Sequence, residues 1–286
     1  MKHVTTCSMS FLLTRSDRIA NLERMMRLPI FQVNAFTDTI WGGNSAAVCE
    51  LTQWLPDNVM QKIAEENRVA ETAFFLAADD GYEIRWFTPE LEIDLCGHAT
   101  LATAHVITRH LQPSLNFVKF YSKSGKLMVS ADNDLLTLDF PSRKPESCPV
   151  PQMIIDAIQA EPIEVLKSRD YVLVFDDEDK IKRIKPDLAL LNQIDIGIGG
   201  IVVTAKGNTV DFVSRFFTPQ ASITEDPVTG SAHCSLIPYW SEKLQKESMV
   251  ALQLSSRGGE LFCRNLGERV LISGKAITYL EGYITI

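Results

Sequence analysis

Cysteine is scarce and scattered. The six, at positions 7, 49, 96, 148, 234 and 263, form no CxxC pair and no framework spacing, which argues against a disulfide scaffold and for a reducing, cytoplasmic setting. Positive charge is in deficit, with 28 Lys and Arg against 36 Asp and Glu, so a formal charge of −8 argues against nucleic acid or an anionic membrane as a partner. No apolar run approaches the roughly 20 residues of a membrane-spanning helix. No GxGxxG or GK[ST] loop offers a nucleotide cradle, and no HExxH pair offers a metal site, so neither cofactor nor metal is expected. What is present, 45% hydrophobic and 22% charged residues in a chain of 286, suits an ordinary globular protein with room for two domains.

The chain contains one stretch twice. Arg85-Trp86-Phe87-Thr88-Pro89 leads through Glu90 to Leu95 into Cys96-Gly97-His98-Ala99-Thr100-Leu101, and Arg215-Phe216-Phe217-Thr218-Pro219 leads through Glu225-Asp226-Pro227-Val228-Thr229 into Gly230-Ser231-Ala232-His233. The second copy begins 130 residues after the first, far beyond the roughly 20 to 50 residues of a solenoid repeat. Each copy reads as a strand closed by Pro, an acidic loop and a Gly that opens a buried helix. Two similar halves are expected, with two helix N-termini facing one crevice. Their free N–H groups and partial positive charges suit the carboxylate of a small acid.

Along the chain, residues 1–27 carry arginines without apolar periodicity and read as an N-terminal extension. A first α/β half is expected over 28–141. Ile30 to Phe36 alternates like a strand, and the turn at Trp41-Gly42-Gly43-Asn44 could bring backbone and Asn44 close to a ligand. Pro56-Asp57 opens an amphipathic helix that stops near Asn67-Arg68. Glu71 then starts an apolar strand beside Phe74 and Phe75, an unusual neighbourhood for a carboxylate and a candidate site for proton abstraction. From Gly97 the residues are small or apolar on every face, which predicts a helix wrapped by sheet. His105 and His110 fall along that helix with a structural reading, whereas His98 falls at its start.

Pro141, Pro145, Pro149 and Pro151 mark the boundary to a second half over 142–286, whose final strand is free to return to the first half. Asp226 and Thr229 are candidates to cap the second buried helix, and Pro238 is expected to kink that helix or end it early. Strands outnumber helices and short turns join them, so the fold class is α+β with mostly antiparallel sheet.

Taken together, Asn44 after Gly-Gly, Ala70-Glu71-Thr72-Ala73-Phe74, Phe87-Thr88-Pro89 with Cys96-Gly97-His98, and Glu225 to Ala232 resemble the PhzF (phenazine biosynthesis) family, in order over Leu28 to Ile286. The resemblance implies the diaminopimelate-epimerase-like fold, in which two pseudo-symmetric halves each roll a sheet around a central helix. It also implies no cofactor, and a homodimer. By the same resemblance Glu71 is the general acid/base, His98 and Asp226 are catalytic, and Asn44, Gly97, Gly230 and Ser231 bind substrate. The implied reaction is an isomerisation in which a proton moves within a small carboxylic acid.

Two other readings stand beside it. Epimerases of this fold are similar in placing a cysteine before each helix Gly, and here those positions hold Cys96 and Thr229. A threonine hydroxyl cannot serve as a resting base at neutral pH, which leaves only a one-sided epimerisation or a dehydration through Cys96. The third reading is a non-catalytic module that binds a small acid or assembles with a partner.

Overall fold

The computed structural model describes residues 26–197, 199–219 and 223–286. Most of the expected N-terminal extension therefore lies outside the described residues, and Arg27 already belongs to the first strand. The first half runs β1 (Arg27–Ala35), β2 (Asn44–Leu51), α1 (Asp57–Asn67), β3 (Glu71–Ala78), β4 (Gly81–Phe87), β5 (Glu92–Ile93), α2 (Gly97–Val106), β6 (Phe117–Ser122), β7 (Gly125–Asp132) and β8 (Leu135–Pro141). A connector holds β9 (Glu146–Ser147) and α3 (Gln152–Ile158). The second half runs β10 (Glu164–Lys167), β11 (Tyr171–Val174), α4 (Glu178–Arg183), α5 (Leu188–Leu191), β12 (Ile201–Lys206), β13 (Phe212–Phe217), β14 (Glu225–Asp226), α6 (Gly230–Leu244), β15 (Ser248–Gln253), β16 (Gly259–Asn265) and β17 (Arg269–Gly274), and β18 (Ala276–Thr285) closes the chain.

Pairing repeats with the same order and sense in both halves. β1 to β4 join antiparallel, parallel, antiparallel, as do β10 to β13. β4 takes β5 antiparallel and β6 parallel, and β13 takes β14 and β15 in the same way. The halves join where β8 meets its counterpart β17, and β18 crosses back to pair with β1.

Each sheet curls round its own helix. α2 buries every residue except His105, and it has few charged groups to solvate, so it can only be stable inside. Its threonines are satisfied locally, with Thr100 and Thr103 donating to the carbonyls of Cys96 and Ala99 at 2.5 and 2.7 Å. After Val106 the helix widens into a π turn over Ile107–Leu111. One core runs through both halves, with Leu101 and Ala102 of α2 and Leu236 and Ile237 of α6 among sheet residues such as Phe120, Leu138 and Ile272. Smaller cores lie under α1 and under α3 to α5. Among the described residues, no helix is long and apolar enough to cross a membrane.

The expectation that Pro238 could end the helix early is corrected. α6 continues past it to Leu244. A proline lacks the N–H that would bond the carbonyl four residues back, here that of Cys234. Arg143 of the connector supplies the missing donor, its N–H lying 2.9 Å from Cys234 O.

The repeated sequence word also acquires a local cause. Arg85 grips Glu92 with two bonds of 2.7 and 2.8 Å, and Arg215 grips Glu225 with two of 2.7 and 2.9 Å. Each arginine lies over the Phe that follows it, Phe87 or Phe217. Such bidentate pairs fix the acidic loop in front of each buried helix. The Arg85 guanidinium holds Glu92 down to about 2.

Candidate active site

Four elements from distant parts of the chain deliver the expected residues to one place. Asn44 opens β2, Glu71 opens β3 directly beyond the left-handed Arg68 that ends α1, His98 is the second residue of α2, and Asp226 closes β14. The two helix starts adjoin: a Cβ on Gly97 would stand 3.8 Å from Gly230 Cα. Unpaired N–H groups of both first turns are thus available within the span of one small molecule.

Hydrogen bonds tie the polar groups together. Asn44, wholly buried, donates through Nδ2 to Asp226 Oδ1 at 2.7 Å and to Val228 O at 3.0 Å. Those bonds commit both amide hydrogens, so His98 Nδ1, at 3.2 Å from the same nitrogen, finds its partner in Cys96 Sγ at 3.5 Å. Across the ring, His98 Nε2 lies 3.0 Å from Glu71 Oε2. Their relative orientation does not make a hydrogen bond. Among the described residues Glu71 Oε2, His98 Nε2 and Asn44 Oδ1 are all buried without a hydrogen-bonding partner.

Glu71 and His98 compensate one another as an ion pair, whereas Asn44 Oδ1 is a buried acceptor with neither a hydrogen bond nor an ion-pair partner among the described residues. A carboxylate, an imidazole and a free amide oxygen thus meet beside the two helix starts.

Charge is tuned by the same burial. Burial opposes a positive His98, but the Cys96 sulfur and the Glu71 carboxylate outweigh it and hold its pKa well above the ordinary 6.5. Burial, reinforced by Glu71, raises the Cys96 thiol, which stays protonated at neutral pH, so Glu71 is the charge that matters to the imidazolium. Asp226 is pushed up to about 6, chiefly by burial; His98, Thr229 and Asn44 oppose the rise and Glu71 adds to it.

The expected capping role of Asp226 and Thr229 is corrected. No side chain caps α6, because the Thr229 hydroxyl donates to Asp226 Oδ2 at 2.5 Å and Asp226 turns toward Asn44. Gln253 of β15, 1% exposed, holds the loop in place of a cap. Its Oε1 accepts from Thr229 N at 2.9 Å, and its Nε2 donates to Asp226 O at 2.8 Å and Thr229 Oγ1 at 3.2 Å. Phe36 lies on the same floor: a Cβ on Gly230 would meet its ring at 3.6 Å. Its φ of 62° is a genuine outlier for a buried aromatic. Neither residue has a pattern in the sequence that would single it out. Ser231 is half-buried and accepts from Arg169 Nη2 at 3.3 Å.

Glu71, Cys96 and His98 also bring ligand-type atoms within 4.8 Å of one another. They do not converge on one metal position. Cys96 stands against Nδ1 of the ring and Glu71 against Nε2, whereas a single ion reaches only one of these nitrogens.

Comparison with known proteins gives the same outline. The family described as phenazine biosynthesis-like protein, PhzC-PhzF, matches residues 33–282. The chain is 48% identical to an uncharacterised isomerase of Pseudomonas aeruginosa, over 90% of this chain and 98% of that one. It is 38% identical to the mouse phenazine biosynthesis-like domain-containing protein 1, over 91% of this chain and 100% of the relative. The crystal structure of a PhzF-family protein from Enterococcus faecalis is similar with a TM-score of 0.87 at 44% identity, covering 91% of this chain and 100% of that one.

Proposed function

Because the chain belongs to the PhzC-PhzF family of phenazine biosynthesis-like proteins, we propose that it is an isomerase that moves a proton within a small carboxylic acid by general acid/base catalysis. Glu71 takes a proton from a carbon made acidic by conjugation with a carboxylate or carbonyl, and returns it elsewhere on the same substrate. Negative charge that develops on the acid is met by the N–H groups at Gly97, His98, Gly230 and Ser231, where the helix starts need no reorganisation to receive it. His98, positive and in contact with Glu71, orients the substrate and donates through Nε2. Asp226 and Asn44 hold the ring side of the site. No cofactor enters the reaction.

The observation that carries this reading is the Glu71–His98 ion pair, Oε2 to Nε2 at 3.0 Å, set where the two helix starts adjoin. Isomerase names among relatives at 45–48% identity support the same class of reaction. Thiol chemistry through Cys96 has less support, since burial holds that thiol protonated and its counterpart in the second half is Thr229. The test is Glu71→Gln, assayed on any acid that the wild type turns over. Turnover should fall by at least about 10³-fold, roughly the contribution of a positioned base, with substrate affinity within a few-fold. Retained turnover would remove Glu71 as the base, and retained binding without turnover in the wild type would favour the non-catalytic acid-binding module.

The same reading makes the protein a cytoplasmic homodimer. The long edge strand β18, which exposes Tyr279, Leu280 and Tyr283, supports a second copy there. Sedimentation should give a dimer, and a clean monomer at micromolar concentration would contradict it.

A further inference from the structure

The internal repeat allows the two sides of the site to be compared position by position. Phe87 and Phe217 of the repeated word pair with Thr72 and Ile201, so the position of Glu71 is taken by Gly200 in the second half. Thr72 pairs in turn with Ala47 and Ile201 with Tyr171, so Asn44 corresponds to Ser168, and Arg169 is the next residue along. His98, second in α2, corresponds to Ser231, second in α6. Beside the first helix start lie Asn44 and Glu71, with Asn44 Nδ2 3.2 Å and Glu71 Oε2 3.0 Å from the His98 ring, whereas beside the second a permanent cation, Arg169, donates from Nη2 to Ser231 Oγ at 3.3 Å.

Arg169 is held but not used up. Its buried neighbour Asp170, 1% exposed, accepts from Arg169 Nε at 3.3 Å and from Gly200 N–H at 2.9 Å. Both bonds of Arg169 are long, unlike the 2.7–2.9 Å pairs that lock Arg85 and Arg215, and a guanidinium has five N–H donors. A second guanidinium flanks the same helix: Arg143 donates its backbone N–H to Cys234 O, and its Nη1 is buried without a partner among the described residues.

We propose that Arg169, with Ser231 and the first turn of α6, anchors the carboxylate of the substrate, so the second half holds the acid while Glu71 and His98 of the first half work on its carbon skeleton. The proposal rests on the isomerase reading for its ligand, a small carboxylic acid. It gives the substrate one direction in a pseudo-symmetric site, and it brings the fixed cation to the group onto which the charge of a proton-abstracted intermediate delocalises. The contact between Gly97 and Gly230 keeps the two sides within reach of one small molecule.

The test is binding by NMR of crotonate, sorbate and benzoate, each beside its primary amide, to wild type, Arg169→Ala, Arg169→Lys and Glu71→Gln. Arg169→Ala should weaken the acids about 10- to 100-fold, the worth of one charge-assisted hydrogen bond, and leave the amides unchanged. Arg169→Lys should lie between, added guanidinium ion should restore part of the affinity of Arg169→Ala, and Glu71→Gln should keep the acids bound. Equal affinity of Arg169→Ala and wild type, equal loss for acid and amide, or no binding of any acid to wild type would overturn the proposal. Deuterium exchange with Arg169-independent binding would sink the anchor alone, and Arg169-dependent binding without exchange would sink the isomerase reading alone.

Discussion

Replacing Asp226 by Asn should make the protein more stable at neutral pH and less active. The carboxylate accepts from Asn44 Nδ2 at 2.7 Å and from Thr229 Oγ1 at 2.5 Å, yet burial still pushes its pKa from 3.8 to about 6. A rise of roughly two in pKa corresponds to about 3 kcal/mol, and because Asp226 keeps some contact with solvent, about 1–2 kcal/mol of that survives. The sign follows from proton binding. The folded protein holds this proton more tightly than the unfolded chain, so the contribution is fully present below pH 3.8 and is lost as pH rises through about 6. Asparagine removes the charge and keeps an oxygen for Asn44. Denaturant unfolding at pH 7 should therefore show the variant about 1 kcal/mol more stable than wild type, a gain of roughly 2–4 °C in melting temperature. At pH 4 the gain should vanish. A variant clearly less stable than wild type at pH 7, or one whose difference is the same at both pH values, would refute the reasoning, whereas stability gained with activity lost is the mark of a carboxylate kept for function.

Two further outcomes are expected. Cys96→Ala should change turnover by only a few-fold in a steady-state assay, because the raised thiol supplies no base at neutral pH, and a loss of several orders of magnitude would restore the thiol mechanism. Gly274→Ala should destabilise by about 1–3 kcal/mol in denaturant unfolding, because its Cβ would lie 2.4 Å from Cδ1 of the fully buried Phe36 ring; an unchanged midpoint would show that Phe36 can move.

Much of the plan was legible in the sequence because it was written twice. The Arg-aromatic-Phe-Thr-Pro word recurs since each half needs the same clamp on its acidic loop, Arg85 to Glu92 and Arg215 to Glu225. The glycines that open α2 and α6 were visible for the same reason. Other features depend on contacts between distant segments, which no local pattern encodes. Pro238 sits within α6, and the carbonyl it frees is bonded by Arg143 of the connector. Gln253 looks like an ordinary strand residue until it meets the loop at Asp226 and Thr229. Arg169 gains meaning only when the fold brings it to Ser231, 62 positions away at the start of α6. The short β10, α4 and α5 carry too few residues to show a period.

The central claim is that Glu71 carries a proton on and off a substrate carbon. Its most direct test is NMR in D₂O of small unsaturated and amino carboxylic acids incubated with wild type and with Glu71→Gln. The account predicts deuterium entering a carbon-bound position of at least one acid with wild type and not with the variant. Exchange that proceeds equally in both, or in neither, would contradict it.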